Sequence, residues 1–412
     1  MALTDENSVL ILGAGASAPF GVPVGSALID TIARNLSKQL FDMQECRQGA
    51  NFLFDHLSKI DNYEAYNRFP YLQPLLWLVI DTKTNLFSAI QDTSNIAEIS
   101  NHIQKMSELR GLLDNQTSDS IDDFIIMNKS YADYVKICIA AEFINALYPY
   151  GRLVSLDQRY SPYNNKLDWD EIFDPEKEEN KTDKPEPERN WIHRLINLIR
   201  LGVIEEKVTP DNKVKIITFN YDSILEYVLE KQFLNTQYFE ELKKKNPDQK
   251  ISYEDYIEII HVHGQCGKLE KKLVIPSKTC WEWAKDIHVI REGDDNLDEN
   301  NKKLPEEVLT KRKDAQDWIK NATKIYAAGF AFAKANTDLI GLKDGVPASQ
   351  QRVINYCNFN GDIGLRNAAD KFIYKYKNSQ GVESDHAYTK VIEEPNIGVS
   401  DWIGVGTLGE LP

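Results

Sequence analysis

The chain has 412 residues, with 48 Lys+Arg against 63 Asp+Glu and a formal net charge of −15. That length buries a substantial core and allows two or three compact units, or one large domain with an insertion, which excludes a peptide-sized module. The acidic balance opposes sequence-independent attraction to a phosphate backbone, so direct nucleic-acid binding is not expected.

Residues Met1 to Asn7 are polar, and the apolar run Val9 to Leu12 is too short for a signal-peptide core or a membrane span. A cytoplasmic protein with no membrane partner is the expectation. The five cysteines (Cys46, Cys138, Cys266, Cys280 and Cys357) are scattered and form no C-x-x-C pair. They read as small core residues rather than a disulfide framework or zinc ribbon, and no metal is expected.

In chain order, Ser8 to Leu12 reads as a buried strand entering a turn at Gly13. From about Ser26 to Tyr150 the spacing turns helical, with Leu28, Ile29, Ile32, Ala33 and Leu36 on one face, and Tyr134, Ile137, Cys138, Ala141 and Ile144 on another. Ser120-Ile-Asp-Asp123 has the form of a helix start. The charged, proline-bearing stretch Asp174 to Asn190 reads as an exposed linker. A helix over Trp191 to Leu201, a strand over Val214 to Phe219 and a helix from about Ser223 to Phe233 follow. Strands are then predicted over Ile257 to His263 and Leu273 to Ile275, and a charged surface run over Arg291 to Lys313. Apolar runs at Ile325 to Ala328 and Arg352 to Asn355 complete an alternation suited to a mostly parallel sheet.

The expected fold is therefore α/β and Rossmann-like. Residues 1–32 and 200–375 would form a nucleotide-binding domain, 33–199 a large helical insertion, and 376–412 a glycine-rich tail, available for assembly.

The chemistry concentrates at a few positions. Gly13-Ala14-Gly15-Ala16-Ser17 follows a clean strand, where small residues let the backbone approach a pyrophosphate and a helix start offers unpaired N–H groups. The competing reading is a tight turn with no ligand. A dehydrogenase would have a second strand ending in an acid about 20 residues on, whereas Ser26 to Met43 reads as helix. Pro19 and Pro23 suggest instead a loop over the ligand. Asn220 and Asp222 fall at a strand's carboxyl end, where α/β sites lie, though short polar residues also start helices. Since Ser223-Ile-Leu-Glu226 is itself a capping box, Ser223 can close the helix and leave both facing a pocket. His261 and His263 share a strand face by alternation, with His263 before a glycine the better general base and His261 supportive.

These motifs together resemble the sirtuin superfamily. Gly13-Ala-Gly-Ala-Ser17 with Gly21-Val-Pro23 looks like its opening motif, Thr218-Phe-Asn-Tyr-Asp222 like T-x-N-x-D, and His263-Gly264 like its catalytic H-G. Gly329-Phe330 with Asp338 is similar to a pattern of the bacterial NAD-cleaving branch, and Asn355 to a strand-end asparagine touching the adenosine half. The resemblance implies that Asn220 and His263 serve NAD cleavage, that Gly13 to Ser17 hold the phosphates, and that Asp222 contacts the nicotinamide carboxamide.

The chain departs from deacetylating sirtuins in two respects. It lacks their paired C-x-x-C zinc module, and Val24-Gly25-Ser26 stands where they carry D-F-R. Both departures favour water over acyl-lysine as acceptor, and so an NAD glycohydrolase. The resemblance is to the stand-alone sirtuin-like subunit of bacterial anti-phage defence, which implies homo-oligomers and a HerA-type hexameric ATPase partner. An NAD- or ADP-ribose-sensing module without turnover, and a nuclease subunit of an ATPase complex, are the alternatives.

Overall fold

The computed structural model describes residues 2–23, 25–45, 63–79, 93–116, 120–148, 191–248, 250–270, 273, 275–288, 304–343, 351–358, 361–372, 374–377, 383–395 and 399–404. The linker at Asp174 to Asn190 and the whole of 291–303 lie outside them.

Strands β1 (Ser8–Leu12), β2 (Val214–Thr218), β3 (Ile257–His261), β4 (Lys324–Ala328), β5 (Arg352–Asn358), β6 (Tyr374–Lys377) and β7 (Glu383–Pro395) form one sheet in the order β3-β2-β1-β4-β5-β7-β6. Every pairing is parallel except that of β6 with β7 at the edge. The fold is α/β and Rossmann-like. All five residues of β1 are buried, as a continuous apolar run covered on both faces requires. Val9 and Ile11 lie in one core with Ile217, Ile260, Ile325 and Ile354, against Ala315 and Ile319. Those last two belong to the helix Glu306–Asn321, which buries Val308, Arg312, Ala315 and Ile319 on a single stripe. The last third of the charged run read as surface is thus amphipathic helix. Each such aliphatic side chain contributes about 1.5–3 kcal/mol on burial.

On the other face, Trp402 of the helix Val399–Gly404 stands against Tyr326 of β4 and Asn355 of β5. That helix packs on the helix Trp191–Ile204. The segment read as a tail therefore supplies β7, the end of β6 and a core tryptophan. Its period-two signal is interrupted by charged residues, among them Glu383, Asp385, Lys390, Glu393 and Glu394.

Two compact units are present: Met1–Pro19, Asp170–Gly264 and Glu292–Pro412 form the first, and Phe20–Trp169 with Gln265–Arg291 the second. The boundaries differ from the expected 33–199. The helix Trp191–Ile204 belongs to the sheet unit, whereas Gln265–Arg291 belongs to the helical one. Leu273 to Ile275 is not the expected strand, since Leu273 and Ile275 lie outside strands and Pro276 opens the helix Pro276–Lys285. In the second unit that helix packs on Ala132–Leu147, and Ser26–Glu45 packs on Thr93–Asp114. Ser120 caps the helix Ile121–Met127 through the Asp122 N–H, as its motif indicates. Glu142 is buried there, accepting from Asn35 Nδ2 at 2.8 Å and from the Tyr71 hydroxyl. Among the described residues no helix is long and apolar enough to cross a membrane.

The strand order reverses direction between β1 and β4. In open parallel sheets the crevice outside the carboxyl ends at such a switch point is where ligands bind, so the turns after β1, β2 and β4 are where a site belongs.

Candidate functional site

Two glycine turns meet at the switch point. The Gly13 N–H donates to Ala328 O at 2.9 Å and the Gly15 N–H to Gly329 O at 3.1 Å. A Cβ on Gly13 would run into the Gly329 carbonyl oxygen and come within 2.6 Å of Phe330 Cα; one on Gly329, whose φ is +60°, would run into Ala16 N. The glycines are thus required for two backbones to touch. The turn itself is a 3₁₀ segment, Ala14–Ala16, with the Ala16 N–H given to Gly13 O and the Ser17 N–H to Ala14 O. This corrects the expectation of a helix start with vacant donors: the N–H groups of residues 13, 15, 16 and 17 are already engaged. From the other side the Trp191 indole N–H holds Ala16 O at 3.0 Å.

Asn220 lies just past β2 and is almost wholly constrained. Its N–H donates to Thr218 Oγ1 at 3.1 Å, its backbone carbonyl faces His261 Nδ1 at 2.9 Å, and its Nδ2 donates to Ser17 Oγ at 2.8 Å. Ser17 in turn donates to Asp222 Oδ2 at 2.6 Å. A hydroxyl that gives its proton to a carboxylate can only accept from the amide, so this relay orients Asn220. Its Oδ1 is left buried with no hydrogen-bond partner among the described residues. Leaving such an acceptor unsatisfied costs about 1–3 kcal/mol, which marks it as a position built for something else.

Asp222 takes the capping role expected of Ser223. Its Oδ1 accepts from the Ile224 N–H at 3.1 Å, so it, and not Ser223, caps the helix Ile224–Gln232. Asp222 also accepts from the Ser17 hydroxyl, and Glu226, the other half of the supposed capping box, turns to His261. Burial pushes the Asp222 carboxyl above its ordinary range, against the opposing effect of the Ser17 and Ile224 donors.

The two histidines part company. β3 ends at His261, and His263 falls in the following turn, so strand alternation does not govern it. The His263 ring lies 5.3 Å from that of Phe219 and 5.9 Å from that of Tyr221, the residues on either side of Asn220. Its Nε2 is 3.4 Å from Asn336 Oδ1; donating there puts the neutral ring's lone pair on Nδ1. Arg312 Nε donates to Val262 O at 2.9 Å, fixing the residue before it.

The remaining expected residues are dispersed. Phe330 packs in the core at 4.9 Å from Phe219. Asp338 sits exposed on the helix Lys334–Leu339, paired with Lys334 and, at 3.8 Å, with Lys343; the Lys334 bond lowers its pKa. Asn355 is not at a strand end, because β5 continues to Asn358; its Oδ1 accepts from Trp402 Nε1 at 3.2 Å. Asn358 holds that end, bonding Asp362 and Glu393. Pro23 lies half-buried in the second unit, before the helix Ser26–Glu45. Sequence reasoning missed Glu226, Arg312, Asn336 and Trp191. Of these only Glu226 left a signal, and it read as a helix cap.

Cys138, Cys266, Cys280 and Cys357 are buried and unbridged. No family model and no curated protein matches the chain.

Proposed function

We propose that the chain is an NAD glycohydrolase, cleaving the bond between nicotinamide and ribose. The observation that carries this reading is the buried, unpartnered Oδ1 of Asn220 at the carboxyl end of β2, fixed by the relay to Ser17 and Asp222. As the C–N bond breaks, its electron pair neutralises the pyridinium nitrogen, and no general acid is needed. Positive charge develops on the sugar, where an amide oxygen held in place without reorganisation stabilises it or accepts a ribose hydroxyl. Water then adds and gives up a proton, for which His263 is the base; such a group contributes about 10²- to 10⁴-fold. The turn at Gly13 to Ser17 contributes shape to the switch point rather than vacant donors. A cytoplasmic homo-oligomer acting in anti-phage defence with a HerA-type ATPase is the setting that the family resemblance implies.

Incubating the purified chain with NAD, alone and with the ATPase encoded beside it, should yield nicotinamide and ADP-ribose in equal amounts. A second reading, an NAD or ADP-ribose sensor without turnover, is favoured by one feature: His263 is only 2% exposed, enclosed by two aromatic rings. Saturable binding with no nicotinamide released over hours in both arms would select it.

A further inference from the structure

The His261 ring is buried and meets an acceptor at each nitrogen. Nδ1 is 2.9 Å from the Asn220 backbone oxygen, and Nε2 faces the Glu226 carboxylate. A neutral imidazole owns one N–H and can satisfy one of these; the imidazolium satisfies both. The titratable groups bearing on the ring are acidic: Glu226 from the helix Ile224–Gln232 and Asp222 from the turn before it. One ring therefore ties together three pieces of backbone, namely β3, the turn carrying Asn220, and the helix that follows.

We propose that His261, as an imidazolium paired with Glu226, is the residue that positions Asn220, so that the site is assembled while the ring holds both protons and loosens when it loses one. The proposal rests on the reading of Asn220 as the group that meets NAD. His261 acts through Asn220 and is a positioning residue, not a catalytic one. Burial works against charge on the ring, but Glu226, the Asn220 carbonyl and Asp222 outweigh it and raise the pKa above the ordinary 6.5. With the folded value raised, the stabilisation is complete below pH 6.5 and is lost as pH climbs through the folded value. Deprotonation leaves either a lone pair against the Glu226 carboxylate or the Asn220 carbonyl without its donor.

The test is a histidine ring NMR titration of the full chain, with the His261 signal assigned by its absence in His261→Gln, beside a pH profile of nicotinamide release. The His261 midpoint should lie above 6.5 and fall by about one unit or more in Glu226→Gln. The alkaline limb of kcat should fall with it, giving roughly a tenfold loss at pH 8 with KM within about twofold. A midpoint at or below 6.5 in the wild-type chain overturns the proposal, as does a limb that stays in place while the midpoint moves. If nicotinamide is released at no pH, yet the amide signals of residues 219–222 follow the His261 midpoint, the positioning role stands and the NAD reading falls.

Discussion

Two buried asparagines, one on each side of the switch point, each leave one side-chain atom without a partner among the described residues, and they differ in where they stand in the sheet. Asn220 lies beyond the end of β2 and presents an acceptor, Oδ1, while three hydrogen bonds fix the rest of it. Asn355 lies within β5, leaves a donor, Nδ2, and is covered by the Trp402 indole. An unsatisfied polar atom inside a strand is a cost of packing; the same atom past a carboxyl end at a topological switch lies at the end of the sheet where ligands bind in open parallel α/β folds. At the carboxyl end of β5 the polar groups are instead satisfied within the protein: Asn358 bonds Glu393 and the Asp362 backbone, and Arg366 bonds Glu393.

The comparison breaks most severely at the glycines on which the Asn220 side depends. Gly13→Ala puts a methyl into the Gly329 backbone, which cannot swing away as a side chain would. A loss of about 3 kcal/mol is expected in denaturant unfolding, with activity lost as well. A change under about 1 kcal/mol would mean the two turns are not in contact. Ser17→Ala tests the relay more gently. It removes the acceptor of Asn220 Nδ2 and one donor to Asp222, so nicotinamide release should drop by about tenfold to a hundredfold and unfolding free energy by about 1–2 kcal/mol. Unchanged kcat would show that the amide needs no relay. The smallest effect is expected at Asp338→Asn, which breaks an exposed pair with Lys334. Stability should change by no more than about 0.5 kcal/mol and activity should not change; a large rise in KM would place Asp338 back in the nucleotide site.

How much of this was legible in the sequence follows the range of the interactions. The strand, turn and helix around Gly13 and around Asn220 are local patterns, and both were readable from apolar runs ending at small or polar residues. The parallel sheet followed from their alternation with helices. The partners were not readable. Gly329 stands more than 300 residues from Gly13, and nothing in either turn says that they touch. Glu226 three residues after Ser223 spells a capping box, yet tertiary structure gives it to His261, 35 residues on, and passes the cap to Asp222. Asn355 was read as a strand end because the apolar run stops there, whereas the backbone ladder to β7 carries the strand on to Asn358. The tail was read as irregular because its glycines flank, and do not enter, the strand Glu383–Pro395.

The most direct test of the central claim sets the two asparagines against each other: nicotinamide release from NAD by Asn220→Ala and by Asn355→Leu, with circular dichroism confirming that both are folded. The expected result is a loss of about a hundredfold or more in the first and less than about twofold in the second. Equal rates, or a larger loss in Asn355→Leu, would contradict the assignment of the site to the carboxyl end of β2.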